Sequence, residues 1–206
     1  MRLMNRHDPR VRRILRDLGL LSGAPLGRGN FSLVYASERP GRVIKLTADR
    51  STARYLAAGL PGPHVPVCHR APEIVGMLDD IDVYRIEMER LVATAAASPA
   101  RRLARQVHAA HCRLRASNEV GDPARLFAHL PASLRDLMGH ILQMTSLADD
   151  VGLDLAPRNM MQRADGTLVV TDPVFDRRLA GVAYRQLGST THGHYRSGRA
   201  FYQGVA

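Results

Sequence analysis

Asp154-Leu155-Ala156-Pro157-Arg158-Asn159, then Met160 to Arg163, a turn at Asp165-Gly166, and Leu168-Val169-Val170-Thr171-Asp172-Pro173: this stretch decides the reading of the chain. Two short strand-like runs flank an Asp-Gly pair, which is the composition of a β-hairpin. A hairpin folds its ends together. Asn159 just precedes the first strand and Asp172 just follows the second, so they are expected side by side, as two oxygen ligands for a hard cation. Magnesium is held through a few such groups plus substrate phosphates. Asp154 lies on the Pro-containing loop before Asn159 and is expected to face the same cleft, where it would accept a proton from an attacking hydroxyl. Any single Asp or Asn beside a strand is ordinarily a turn former or a cap. The weight rests on the whole set occurring in one order.

Upstream, Gly27-Arg28-Gly29-Asn30-Phe31-Ser32 sits between two strand signals. Glycines there let backbone amides approach a phosphate with no Cβ in the way. A dinucleotide site would need these glycines to open a helix, and a P-loop would need a following Gly-Lys-Ser/Thr; neither condition is met. The hairpin that follows carries Val43-Ile44-Lys45-Leu46. Lys45 is the one lysine of the 206 residues, against 28 arginines. Lysine is a compact point charge where arginine is a planar fork. A single lysine in an apolar strand therefore points to a place where a fork would not fit.

Asp8-Pro9 opens a helix, Asp as cap and Pro in the first turn, with Val11, Ile14, Leu15 and Leu18 on one face. From Ala24 to Leu91 the signals are those of strands. The pattern predicts about five antiparallel strands and one short helix, Ser51 to Gly59, with a type II turn at Arg39-Pro40-Gly41-Arg42 and a second hairpin around Asp79-Asp80. After Leu91 the period is helical. Pro99 to Ala116 forms one helix, and Ser133-Leu134-Arg135-Asp136 resembles a capping box that opens another. The last thirty residues read as an irregular tail. The expected organisation is 1–23 as an N-terminal helix, 24–91 as a sheet lobe, 92–176 as a reduced helical lobe and 177–206 as the tail.

Composition bounds the rest. A hydrophobic fraction of 45% suffices for a packed core, and aromatics are 5%. Two cysteines, Cys68 and Cys112, make no disulfide framework. No apolar run reaches the ~20 residues of a membrane span. The expectation is a soluble cytoplasmic protein with no membrane partner. The net charge of +10 is compatible with nucleic acid as a secondary partner, but the arginines are spread along the chain without a basic tail. His108, His111 and Cys112 share a helix face, a spacing any helix face offers, and no fourth metal ligand is apparent.

Taken together, these motifs resemble the nucleotide-binding and catalytic core of protein kinases over roughly residues 24 to 176. Gly27, Gly29, Phe31 and Val34 resemble the glycine-rich loop. Val43-Ile44-Lys45 resembles the Val-Ala-Ile-Lys strand, and Met88-Glu89-Arg90-Leu91 the gatekeeper and hinge. Asp154 to Asn159 resembles the catalytic loop, and Thr171-Asp172-Pro173 stands where Asp-Phe-Gly would be. The wording is most similar to the minimal serine/threonine protein kinases of short-tailed bacteriophages.

The resemblance implies an α+β fold, minimal and bilobal, with a small antiparallel sheet lobe and a shortened helical lobe. It implies transfer of the γ-phosphoryl group of ATP, with Mg2+, to Ser or Thr hydroxyls of protein substrates, host transcription and RNA-processing proteins among them, in the host cytoplasm. Lys45 would hold the α- and β-phosphates, and residues Gly27, Arg28, Gly29, Asn30, Phe31 and Ser32 would cover them, with Val34. Met88, Glu89 and Leu91 would face adenine. Asn159 and Asp172 would bind magnesium, Asp154 would orient the hydroxyl, and Arg158 would supply charge near the γ-phosphate.

The departures are specific. Ser32 replaces the third glycine. Gly152-Leu153 stands where the family has His-Arg. Ala156 occupies the position of a phosphate-binding Lys. Asp172 is followed by Pro173-Val174, and no Ala-Pro-Glu motif follows. The helix after Lys45 holds no glutamate, which leaves Glu73 as the candidate partner for the lysine. Alternative readings are a small-molecule phosphotransferase of the same fold and a non-catalytic kinase-like binding or inhibitory protein.

Overall fold

The computed structural model describes residues 3–116 and 123–186, with side chains to residue 181 apart from 123 and 124. Helix α1 spans Pro9–Asp17, and its start is the one the sequence predicts. Asp8 is the N-cap, its carboxylate accepting from the Arg10 N–H at 2.8 Å, and Pro9 takes the first turn. Val11, Ile14 and Leu15 form the buried face.

Five strands follow: β1 (Gly27–Arg28), β2 (Ser32–Ala36), β3 (Arg42–Thr47), β4 (Glu73–Leu78) and β5 (Ile81–Glu89), with α2 (Arg50–Ala57) between β3 and β4. They make one sheet in the order β1-β2-β3-β5-β4, antiparallel throughout. The turn chemistry is local. Arg42 N–H returns to the Arg39 carbonyl at 3.3 Å, and Gly41 takes the positive φ of 73° that a type II turn requires. Asp49 caps α2, accepting from the Ser51 and Thr52 amides, so this helix starts one residue earlier than the sequence suggested.

Strand residues alternate between two faces. Leu33, Tyr35, Ile44, Leu46 and Val83 share one face and build a core with Val11, Ile14 and Leu15 of α1. A Cβ at Gly76 would come within 2.8 Å of Ile14, so the missing side chain sets how closely α1 approaches the sheet. Leu179 joins the same core.

The remaining elements are β6 (Val92–Ala93), α3 (Pro99–Ala116), α4 (Pro123–Leu126), α5 (Ala132–Ser146), β7 (Val151–Leu153), β8 (Met160–Gln162), β9 (Leu168–Val170), β10 (Val174–Asp176) and α6 (Arg177–Gln186). A 3-10 turn, Pro157–Asn159, precedes β8. The strands form two small sheets, β6-β8-β9 and β7-β10.

By contacts, residues 3–59, 66–90 and 178–186 form one unit, and residues 60–65, 91–116 and 123–177 the other. Segment 60–65 is tied into the second unit by His64. Its Nδ1 meets the Leu168 carbonyl at 2.7 Å, its own carbonyl accepts from Val170 N–H at 2.9 Å, and Arg163 bonds the Pro63 and Val65 carbonyls.

The protein is thus α+β, as expected: one unit holds the five-stranded antiparallel sheet, and the other holds α3, α4 and α5 with two small sheets. Two local expectations fail. The capping box at Ser133 does not form: the cap position is Pro131, with no side-chain cap. Ser133 already lies inside the helix, and its hydroxyl meets His64 Nε2 at 3.2 Å instead. The segment after Asp176 is not irregular throughout, since Arg177–Gln186 is helical. Leu179 and Ala180 are buried, and tertiary burial of this kind supplies most of a short helix's stability. Residues 187–206 of the expected tail lie outside the described residues. Among the described residues, no helix is long and apolar enough to cross a membrane.

Candidate active site

In the sheet unit, the ladder registers Gly27 with Val34, Val34 with Lys45, and Lys45 with Ile86. Directly paired residues point to the same side of an antiparallel sheet. These four therefore form one row across four strands, on the face opposite the α1 core. Gly27 contributes no side chain to the row. Lys45 is 5% exposed, and so belongs to the rare class of buried lysines. Val43 and Met88 stand one row along on the same face, and Cys68 pairs with Met88 in a single bridge. Burial and then the Glu89 carboxylate push the Cys68 thiol above its usual range, while the charge of Lys45 opposes them, which places Cys68 in electrostatic reach of the lysine.

The glycine turn is tight. Gly29 N–H donates to the Ser32 carbonyl at 2.8 Å, and the Asn30 carbonyl accepts from Met4 N–H at 3.3 Å. Arg28 pairs with Leu33, and Ser32 Oγ donates to Thr47 Oγ1 at 2.9 Å. Phe31 packs against the α1 core, and its carbonyl accepts from Ala48 N–H. Its ring therefore serves the fold of this unit. At the end of β5, Glu89 N–H donates to the Val67 carbonyl at 2.9 Å, and Glu89 Oε1 accepts from Val67 N–H at 2.8 Å. Both the Glu89 N–H and its carboxylate are thus engaged by Val67. Leu91 is buried in the second unit.

Glu73 is not placed to partner Lys45. It pairs with Arg85, the neighbour of Ile86, and so projects from the opposite face, where it meets Arg85 Nη1 at 3.4 Å. The buried acid of this sheet is Glu87, paired with Ile44 and likewise on the α1 face. Burial raises the tendency of Glu87 to hold a proton, but Arg39, Arg42 and Arg70 outweigh it and keep the carboxyl below its ordinary range.

In the helical unit, backbone hydrogen bonds gather Asp154, Asn159 and the 171–173 segment. Asp154 N–H donates to the Pro173 carbonyl at 2.8 Å. The Asn159 carbonyl accepts from Thr171 N–H at 2.8 Å and from Thr171 Oγ1 at 2.9 Å. Asp172 lies between the two residues that make these bonds. The Asn159 side-chain amide donates to the Asp154 carbonyl at 2.9 Å, so its NH2 end is committed and Oδ1 is the end that could meet a cation. One half-buried carboxylate and one amide oxygen suit magnesium, which takes the rest of its oxygens from water and phosphate. Asp154 itself, with a side chain 29% exposed, is ion-paired to Arg158 at 2.7 Å.

Behind Asp154, β7 pairs with β10, and Gly152 stands opposite Phe175. A Cβ at Gly152 would enter the Phe175 ring. The phenyl group thus fills the place that a side chain at position 152 would occupy. Helix α3 flanks the 3-10 turn and the β8–β9 hairpin. From it, His108 Nδ1 meets the Leu155 carbonyl at 3.1 Å. His111, 5% exposed, has a buried Nδ1 with no hydrogen-bond partner among the described residues. Burial, with help from Arg115 and against Asp154, holds His111 down to about 4, so it is uncharged at neutral pH. The sequence showed the spacing of His108 and His111 but not what they face.

No protein-family model matches the chain, and no curated protein matches it. Among solved structures, the chain is similar to the choline kinase LicA from Streptococcus pneumoniae at 12% identity and a TM-score of 0.33, over 93% of this chain and 78% of that one. At such distance the activity has to be argued from the site itself.

Proposed function

We propose that this chain is a Mg-ATP-dependent phosphotransferase that moves the γ-phosphoryl group to a Ser or Thr hydroxyl of a protein. The observation that carries the reading is the closed loop of the helical unit, in which Asp172 lies between residues bonded to Asn159 and to Asp154. Asn159 Oδ1 and Asp172 would hold the metal ion, which neutralises phosphate charge. Asp154 would accept the proton of the attacking hydroxyl and set its direction. Arg158, beside Asp154, would face the charge that develops on the transferred group. In the sheet unit, Lys45 would hold the α- and β-phosphates, and Gly27, Arg28, Gly29, Asn30 and Ser32 would cover them, with Val34 beneath. Met88, Glu89 and Leu91 would face the base. Catalysis of this kind is mostly positioning and electrostatic stabilisation.

The test is incubation of the purified protein with Mg2+ and γ-labelled ATP, with wild type, Lys45→Arg and Asp172→Asn in parallel. Label on Ser or Thr of protein acceptors, lost in both variants, supports the reading. Label confined to small hydroxyl compounds would move the substrate class to small molecules. No transfer by wild type, with biological effect retained in Asp154→Ala, would make the chain a kinase-like binding protein.

A further inference from the structure

Three backbone groups fix the peptide units around Asp154. Its N–H is held by the Pro173 carbonyl and its C=O by the Asn159 amide, both from within the loop and hairpin. The next carbonyl, that of Leu155, is held from outside, by His108 of α3 at 3.1 Å. A carbonyl only accepts, so Nδ1 carries the proton and Nε2 is left as an acceptor in the neutral ring. Cys112 Sγ lies 3.6 Å from that Nε2, where a thiol can donate. The two contacts select the same tautomer. Leu155 is buried, so its carbonyl would lose a partner that water could not easily replace.

We propose that His108 is a positioning residue for Asp154: from helix α3, through the Leu155 carbonyl, it sets the direction of the carboxylate that meets the acceptor hydroxyl. This rests on the phosphotransferase reading. The His-Arg expected before the aspartate is absent, and Phe175 covers Gly152 in its place. A histidine 47 residues before Leu155 in the chain is thus brought to the loop across space by a helix. The exposed face of the same helix carries Arg102, Arg105 and Arg113, and the inward face carries Ala104, Val107 and His111, so α3 packs His108 onto the loop as part of its ordinary amphipathic docking.

Three substitutions decide the matter. His108→Leu removes the donor and keeps bulk. His108→Ala removes both, and serves if the leucine variant melts below assay temperature. His108→Asn returns an N–H donor at about the reach of Nδ1. The full chain is assayed for kcat, KM for ATP and amide hydrogen exchange over residues 150–160. Expected is a fall in kcat of about tenfold to a hundredfold in the leucine and alanine variants, as for a slightly misplaced catalytic group, with KM for ATP changed less than about twofold. The asparagine variant should return to within about threefold of wild type, and exchange over 150–160 should quicken in the first two variants only. Unchanged exchange, or asparagine no better than leucine, overturns the proposal. Wild type that transfers no phosphate while His108→Leu still loosens the loop would overturn the enzymatic reading but leave the anchoring contact standing.

Discussion

Arg158 closes a 2.7 Å ion pair on Asp154, four residues before it in the same loop. The arginine side chain is 73% exposed, and so the pair adds little to stability, about 0–1 kcal/mol. Its meaning lies in the site. On the proposed reading, the carboxylate that would take a proton from a hydroxyl is held beside a cation that would also meet a phosphate oxygen. Arg158→Ala is expected to leave the melting temperature nearly unchanged and to lower kcat by about a hundredfold, the scale for loss of one stabilising donor. KM for ATP should change little. Equal turnover in the variant would remove Arg158 from the chemistry.

Lys45 stands in the row Gly27, Val34, Lys45, Ile86 and is almost fully buried. A guanidinium there needs more width than an ammonium and presents its donors in a fixed plane. If Lys45 holds phosphate as proposed, Lys45→Arg is expected to cost at least about a hundredfold in kcat/KM for ATP, the scale for a misplaced group. Radiometric phosphate transfer measures it. Activity within twofold of wild type would show that any cation suffices at this position.

Gly152 and Phe175 are a matched pair across the β7–β10 ladder. Gly152→Ala forces the ring to move and is expected to destabilise the protein by about 1–3 kcal/mol, the usual cost of overpacking. Phe175→Leu should relieve part of that cost, so the double variant should be more stable than the sum of the single effects. Urea unfolding of the four proteins closes the cycle, and strict additivity would show that the ring does not sit where the alanine methyl goes.

His111 titrates near 6.5 when unfolded and is held to about 4 when folded, by burial first and by Arg115 next. Its folded pKa is depressed, so the unfolded chain takes up the proton first. The stability from keeping His111 neutral is complete above pH 6.5, and is lost as pH falls from 6.5 toward 4. The loss amounts to about 3 kcal/mol at 1.36 kcal/mol per pKa unit. Denaturant unfolding at pH 7, 5.5 and 4.5 should show a steeper decline in wild type than in His111→Leu. Parallel declines would place the acid sensitivity elsewhere.

Much of this molecule is written locally. Asp8-Pro9 caps α1, Arg39-Pro40-Gly41-Arg42 makes the turn its residues demand, and the β8–β9 hairpin brings Asn159 against Thr171. Each follows from near neighbours in the chain, because turn chemistry and strand alternation act over a few residues. That is why the Asp154, Asn159, Asp172 grouping and the strand carrying Lys45 could be read in advance. Local grammar misled where burial outranked it: Ser133 reads as a cap but turns to His64, and Arg177–Gln186 reads as loose but forms a helix with Leu179 buried. Only the tertiary structure decided the rest. Sheet order put Ile86 beside Lys45 and sent Glu73 to the other face. Helix docking brought His108 to the Leu155 carbonyl, and strand pairing laid Phe175 over Gly152. These contacts join residues far apart in the chain. Burial of apolar area selects them, and that force is non-directional: the apolar period marks which face is buried but does not name its partner.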